Sequence, residues 1–506
     1  MIDAFAALFQ LDNLIFVFIG TALGIVVGAI PGLTASMLIA LTLPLTFHMD
    51  PVNAVTLLIG EYVGGISGGL ITAILLRMPG TPASIVTTFD GYPLAKKGFP
   101  ERALALGILA SVVGGIISWV FLAGMSPTLA RFALQFGPWE YFGLVLMALV
   151  MLAALTQGSI VKGLLGAVLG MAFALPGIDS TTGRDRLTFD VDGLLAGFGL
   201  LPVLIGAFAI SQILRETATP AAATEPMTLP KGRLPVSWSD ARTHGPNMLR
   251  SSVIGTWIGL LPGIGGNIAA LVSYTTTRQL SHTPEKFGTG HEPGVVSGET
   301  ANNASIGGAL IPLITMGIPG SVTEAILIGA LTIHNLQPGP LLFQNAPEIA
   351  YGIIATYLLA NVLMLVLMWS AVRYIAMVTQ LPRAGLLTGI LVFCVVGSFA
   401  VNNSWFDVWV MIGFGVVGLG LELAKVPLGP FVIGFVLSPI AEEQLRAALM
   451  MTDGNVIEVL DRPFALAFLV VAALTLFTPA LMQRMGAKRR PSSSDEPAEP
   501  VAERLP

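Results

Sequence analysis

Gly28-Ala29-Ile30-Pro31-Gly32-Leu33-Thr34 breaks an apolar run in the first half of this 506-residue chain, and Gly259-Leu260-Leu261-Pro262-Gly263-Ile264-Gly265 breaks one in the second. Each closes a stretch that opens on a Gly-Thr pair, Gly20-Thr21 and Gly255-Thr256. Further on, Ile66-Ser67-Gly68-Gly69 leads to Pro79-Gly80-Thr81, and Ser305-Ile306-Gly307-Gly308 leads to Pro319-Gly320-Ser321. Glu61 and Glu299 precede the two Gly-Gly pairs and take matching places in this reading. In a chain with 57 glycines and 34 prolines one match would decide nothing. Two motifs in the same order at the same place in each half indicate a duplication.

Proline lacks a backbone donor and clashes with the preceding turn, so a helix stops there. Glycine lets the chain reverse. The freed N–H and C=O groups are costly in hydrocarbon, and such backbone is tolerated at membrane depth only inside protein or along a wet cavity. Matched interruptions in two halves are the sequence mark of a solute site near the bilayer midplane. Taken singly, each Pro-Gly could instead be a loop turn at the membrane surface.

Composition makes the membrane reading firm. The chain is 54% hydrophobic and 11% charged, with mean hydropathy +0.80, against about 25% charged residues in soluble domains. Apolar runs long enough to span begin near Leu14, Val52, Ala103, Trp139, Gly163, Gly193, Arg250, Ile349, Ala384, Trp405 and Pro463. Shorter, broken stretches lie at 33–47, 79–93, 299–318, 320–336 and 427–440. Together they predict an all-α polytopic membrane protein with about ten to fourteen crossings, some re-entrant. The chain divides into a first membrane repeat (1–214), a polar, proline-rich linker (215–247), a second repeat (248–483) and a disordered tail (484–506). Lys96-Lys97 with Arg102, the linker and Lys488-Arg489-Arg490 are basic and fall on the cytoplasmic side by the positive-inside rule. The N-terminus has no basic region before its first apolar run, which reads as a retained span. A net charge of -5, weak and spread over a large chain, argues against nucleic acid as a partner. Cys394, the single cysteine, rules out an internal disulfide and a cysteine zinc cluster and reads as a small buried apolar residue.

Gly28-Ala29-Ile30-Pro31-Gly32, Glu61-Tyr62-Val63-Gly64-Gly65, Arg77-Met78-Pro79-Gly80-Thr81-Pro82 and Asp90-Gly91-Tyr92-Pro93-Leu94-Ala95 resemble the large membrane subunit of tripartite tricarboxylate transporters. So do Gly298-Glu299-Thr300-Ala301-Asn302-Asn303-Ala304, Gly317-Ile318-Pro319-Gly320-Ser321 and Val401-Asn402-Asn403-Ser404. The likeness runs from about residue 10 to 480 and leaves out the linker and tail. It implies a bacterial inner-membrane permease driven by an ion gradient, with no cofactor. It also implies two partners, a small four-helix membrane subunit and a periplasmic substrate-binding protein that delivers a carboxylate.

The residues themselves narrow the chemistry. No Lys or Arg occurs between Lys286 and Arg373. Positive potential for a carboxylate therefore falls to the N-termini of half-helices. Gly32, Thr34, Ser36, Gly80, Thr81, Ser84, Gly263, Asn267, Gly320, Ser321 and Thr323 are the candidate substrate residues, with helix capping as the alternative for each hydroxyl. Glu61, Glu299, Glu324, Asn302 and Asn303 are candidates for coupling to Na⁺ or H⁺. The alternatives are carboxylates at span ends and amides joining helices. Arg77 could clamp an anion or snorkel, and Asp90 could face the site or an interface. Glu422 and Lys425 read as a local pair. Asn402-Asn403 and residues 179–184 read as surface loops or as places to dock the periplasmic partner.

Two rivals stand. Gly65-Ile66-Ser67-Gly68-Gly69 matches a nucleophilic-serine pattern, which would need a base such as His334 beside Ser67. The large subunit of a tripartite ATP-independent periplasmic transporter also uses broken hairpins. The lack of a phosphate-binding Gly-Lys-Ser/Thr loop argues against a pump. The expected architecture is two halves, inverted with respect to each other, with the solute site between four Pro-Gly tips and one unit moving as an elevator against a fixed remainder.

Overall fold

A computed structural model describes residues 10–155, 159–179, 181–218, 234–235, 237–263, 265–378 and 383–487. Most of the linker and nearly all of the tail lie outside these residues. The described chain is helical throughout, apart from a two-stranded antiparallel hairpin, β1 (Gly177–Ile178) and β2 (Asp185–Arg186). Seven helices are long and apolar enough to cross a membrane. The protein is an all-α polytopic membrane protein.

Two series of five helices follow one pattern. The first is α1 (Leu11–Gly28), α2 (Ala35–Thr46), α3 (Pro51–Leu76), α4 (Ile85–Lys96) and α5 (Pro100–Ala133). After α6 (Pro138–Leu155), α7 (Ile160–Phe173), the hairpin and α8 (Leu200–Ala218), the second series begins. It consists of α9 (Trp238–Leu260), α10 (Gly265–Leu280), α11 (Glu292–Met316), α12 (Val322–Ile333) and α13 (Pro347–Val378). The chain closes with α14 (Arg383–Asn402), α15 (Trp405–Leu423), α16 (Leu428–Met451) and α17 (Pro463–Ala487). Every Pro-Gly corner falls between a longer helix and a shorter one. The shorter ones, α2, α4, α10 and α12, have 12 to 16 residues, too few for the roughly 30 Å of hydrocarbon in a bilayer.

Some expectations needed correction. The number of crossings is not one of them, since five shorter apolar helices join the seven that are long and apolar enough to span. The stretches read as broken at 299–318 and 427–440 are unbroken over 299–316 and 428–440, within α11 and α16, which tolerate the internal Pro312 and Pro439. The start assigned to Gly193 moves to Leu200, since Asp192–Leu194 is only a single helical turn. The start near Arg250 lies well inside α9.

Close backbone approach fixes the pairing of helices. A methyl group on Gly24 or Gly28 of α1 would lie 2.5 or 2.2 Å from the carbonyl oxygens of Glu61 or Gly65 on α3. On α9, Gly255 and Gly259 stand in the same way against Ala301 and Ser305 of α11, at 2.4 and 2.3 Å. In each pair the residue numbers rise together, so the helices run parallel. Only glycine permits such contacts, which is how small residues bring membrane helices together.

These contacts also set the register between the two series. They place Glu61 at the level of Ala301. Glu299 is therefore not its counterpart, and the expected pairing of the two glutamates fails. The Pro-Gly corners keep register, whereas the Gly-Gly motifs are displaced by one residue.

Arg102, at the start of α5, bridges Asp240 of α9 (2.6 Å) and Glu292 of α11 (2.8 Å). Those three helices therefore begin at one face. Trp119 Nε1 in the second half of α5 donates to the Ile354 carbonyl early in α13 (3.0 Å), and Thr56 of α3 lies 3.4 Å from Thr356. Helices α3 and α13 begin at the opposite face.

Candidate functional site

Each corner is built by local backbone chemistry. Gly32 and Gly263 take positive φ, 91° and 81°, where glycine is unstrained. Thr34 then caps α2 by accepting from the Met37 amide (3.2 Å), and Ser321 caps α12 by accepting from Thr323 (3.2 Å). Capping is thus part of what these hydroxyls do. Within the first series the corners touch: a methyl group on Gly80 would sit 2.3 Å from the Gly28 carbonyl. Within the second, the Gly263 amide donates to the Gly320 carbonyl (2.9 Å).

The corners also meet across the series. Ser36 Oγ and Thr323 Oγ1 are 2.7 Å apart, joining the first corner of one series to the second corner of the other. In the reciprocal place, a methyl group on Gly266 would lie 3.4 Å from Ala83 Cβ and 3.0 Å from Asn302 Oδ1. All four corners therefore converge at two crossings in the middle of the molecule. Of the predicted residues, Ser36, Ser321, Thr323 and Glu324 gather at the first crossing. Thr81, Ser84 and Asn302 gather at the second, and Asn267 is on the exposed side of α10 beside it.

Buried carboxylates surround the crossings. Glu61, Glu299 and Glu324 are each 0% exposed. The Tyr62 hydroxyl donates to one oxygen of Glu324 and the Ser321 hydroxyl donates to the other. Thr87 donates to Glu299, as does Ser111 at 3.2 Å. Thr42 donates to Glu61 Oε2 (2.7 Å), while Glu61 Oε1 has no hydrogen-bond partner. Asn303 accepts from Ser67 (2.6 Å) and donates to the Glu299 carbonyl (3.2 Å), tying α3 to α11. Neither polar atom of the buried Asn302 amide makes a well-formed hydrogen bond, and the amide faces the Glu299 carboxylate.

Residues 14–433 match the family model described as Tripartite tricarboxylate transporter TctA family. The chain belongs to that family. An uncharacterized 52.8 kDa protein of the TAR-I ttuC' 3' region of Agrobacterium vitis is 34% identical over 481 residues, covering 94% of this chain and 95% of that protein. An uncharacterized protein of the TAR-II ttuC' 3' region of the same organism is 33% identical over 235 residues, covering 46% of this chain and 97% of that protein. No solved structure matches.

The remaining candidates in this TctA-family chain have structural positions. Asp90 accepts from the amides of Gly288 (2.9 Å), Gly290 (2.9 Å) and His291 (2.7 Å) and from Tyr274 (2.8 Å). It anchors the loop between α10 and α11 onto α4, which answers whether it faces the site. Arg77 is exposed, ends α3 with φ 56° and lies 5.8 Å from the centre of the Tyr92 ring. The 179–184 stretch is tied to α16. Asp179 accepts from Arg446 (2.7 Å), whose guanidinium holds that carboxyl well below the usual range, and Arg186 binds Glu442 (2.6 Å). Glu422 faces Arg215 (3.5 Å). Asn402 donates to Asp407 (2.8 Å).

Sequence reasoning missed Tyr62, Thr42, Thr87 and Ser111, all buried partners of glutamates. The signal was present for Tyr62, which sits beside Glu61 one turn from the α1 contact. The threonines gave none, because an i−4 backbone bond satisfies a helical threonine just as well.

Proposed function

We propose that this chain is the large membrane subunit of a secondary transporter that imports a tri- or dicarboxylate and is energised by Na⁺ or H⁺. The observation that carries the reading is the convergence of four helix breaks on two crossings walled by three buried glutamates. Broken helices direct N-terminal dipoles at an anion. A wholly buried carboxylate such as Glu61, with one oxygen unpartnered, calls for a proton or a cation beside it. The three glutamates are the coupling residues, with Asn303 holding α3 and α11 together between them.

The two helix series act as related units of opposite orientation. The parallel pairs α1–α3 and α9–α11, which begin at opposite faces, support that arrangement. Lys96, Lys97, Arg102 and Arg278 lie at the face where α5, α9 and α11 begin, so that face is cytoplasmic by the positive-inside rule. The opposite face, with the hairpin, meets a periplasmic binding protein, and a small four-helix membrane subunit completes the complex in a bacterial inner membrane. One unit of the bundle moves as an elevator against a fixed remainder, and the contacts between the two series at the crossings change as it does. The serine-enzyme alternative loses its support, because Ser67 donates to Asn303.

Uptake of labelled citrate into proteoliposomes, with the candidate partner subunits added and Na⁺ and H⁺ gradients imposed separately, tests the reading. Accumulation under one gradient is expected. No accumulation of any carboxylate under either gradient would overturn it.

A further inference from the structure

The two crossings are built on equivalent backbone but carry different side chains. Registered on Pro79 and Pro319, Tyr62 corresponds to Asn302, Thr81 to Ser321 and Ser84 to Glu324. At the first crossing the Tyr62 and Ser321 hydroxyls hold the Glu324 carboxylate at the start of α12. At the second, the place of Glu324 is taken by Ser84, whose hydroxyl pairs only with Thr81 (2.8 Å). There Asn302, 1% exposed, keeps its amide unpartnered, with Oδ1 facing the start of α10 at Gly266.

We infer that the Asn302 crossing is the seat of a substrate carboxylate, and that Glu324 is a built-in carboxylate permanently filling the equivalent seat at the other crossing. This rests on the transport reading above and deepens it. The chemistry follows from what surrounds the amide. A helix of 16 residues, α10, starts there, and its first-turn amides have no intrahelical acceptor. A half-turn of the Asn302 side chain exchanges nitrogen for oxygen and presents an N–H donor to the anion. Thr81 and Ser84 supply hydroxyl donors. Glu299, the carboxylate beside this amide, is held by Thr87 and Ser111, so on its Gly266 side the amide offers an incoming anion donors and the positive dipole end of α10. The other crossing shows what such a geometry holds, because a carboxylate already occupies it. A substrate with several carboxylates thus has one buried in this seat and its others directed elsewhere.

Thermal unfolding of the purified full-length protein in detergent, titrated separately with citrate and with NaCl, tests the inference. Asn302→Leu keeps the volume and removes the donor; Ser84→Glu introduces a tethered carboxylate like Glu324. The wild type should be stabilised by citrate, and each variant should need at least tenfold more citrate for the same shift, with the NaCl response of Asn302→Leu unchanged. Wild-type citrate affinity in Asn302→Leu would overturn the inference and leave the transport reading intact. So would loss of only the NaCl response, which would make the crossing a cation site. If no carboxylate shifts the wild type, the transport reading falls, and the inference with it. Asn302→Leu alone decides the matter if Ser84→Glu fails to fold.

Discussion

The crossing at Glu324 is a finished network, whereas the crossing at Asn302 has backbone of the same kind with its central amide unpartnered. Close glycine contacts hold both crossings in shape, so side chains at the tips are free to differ. One tip has become internal structure and the other is left for chemistry. A glycine whose added methyl group would lie 2.2 to 2.5 Å from a facing carbonyl cannot be replaced without moving a helix, while Ser84 and Glu324 can diverge at no such cost.

The largest expected effect lies at the outer end of the Asn302 crossing. Asp90→Ala removes the acceptor for three amides and a tyrosine, and should cost on the order of 3–5 kcal/mol, since hydrogen bonds to buried charge are the strong ones. Its counterpart in the second series is Ala330, so one crossing is braced in a way the other is not. A fall in apparent melting temperature as small as that of an exposed substitution would break this part of the comparison.

Next comes the contrast between the crossings themselves. Glu324→Ala strands the Tyr62 and Ser321 hydroxyls and should lose about 2–4 kcal/mol. Asn302→Ala breaks no hydrogen bond and should lose only the packing of a small side chain, about 1 kcal/mol. Equal losses would show that the Asn302 amide is satisfied after all.

The two glycine corners should then differ. At Gly80 a methyl group meets the Gly28 carbonyl at 2.3 Å, while at Gly320 its nearest neighbour is Ala309 Cβ at 2.9 Å. Gly80→Ala should cost about 1–3 kcal/mol, and Gly320→Ala should cost less because its closest neighbours, Ala309 Cβ at 2.9 Å and the Gly259 carbonyl at 3.1 Å, stand farther off. Thermal unfolding of the pair ranks them. The smallest effect concerns the residues ending α3 and α11: Arg77 has φ 56° where Gly317 has φ 71°. Arg77→Gly should relieve about 1 kcal/mol of left-handed strain, partly offset by the lost contact with Tyr92. A destabilised Arg77→Gly would mean that this contact outweighs the strain.

The corners were legible in the sequence because proline and glycine act locally. A missing donor and a reversed φ end a helix whatever surrounds it. Helix α11 was not legible as one helix. Its Glu299, Asn302, Asn303 and Ser305 depress the hydropathy, yet all are buried in protein, so the helix never presents them to lipid. Hydropathy reports the solvent a helix meets, and here that solvent is other helices. The mismatched glutamates have a related cause. Gly-Gly recurs in both halves, but the contacts that matter fall on Gly68 and Gly308, and only the facing helix reveals which glycine of each pair is in contact. Which residues pair across the crossings, Ser36 with Thr323 and Tyr62 with Glu324, depends on chain folding between segments far apart in sequence.

A cross-link between Ser36 and Thr323 tests most directly whether solute passes where the four corners meet. In a Cys394→Ser background, Ser36→Cys with Thr323→Cys replaces two hydroxyls that are 2.7 Å apart. The account predicts that oxidation joins them, stops carboxylate uptake in proteoliposomes, and is reversed by reductant. Uptake that continues at the uncross-linked rate after the disulfide has formed would contradict it.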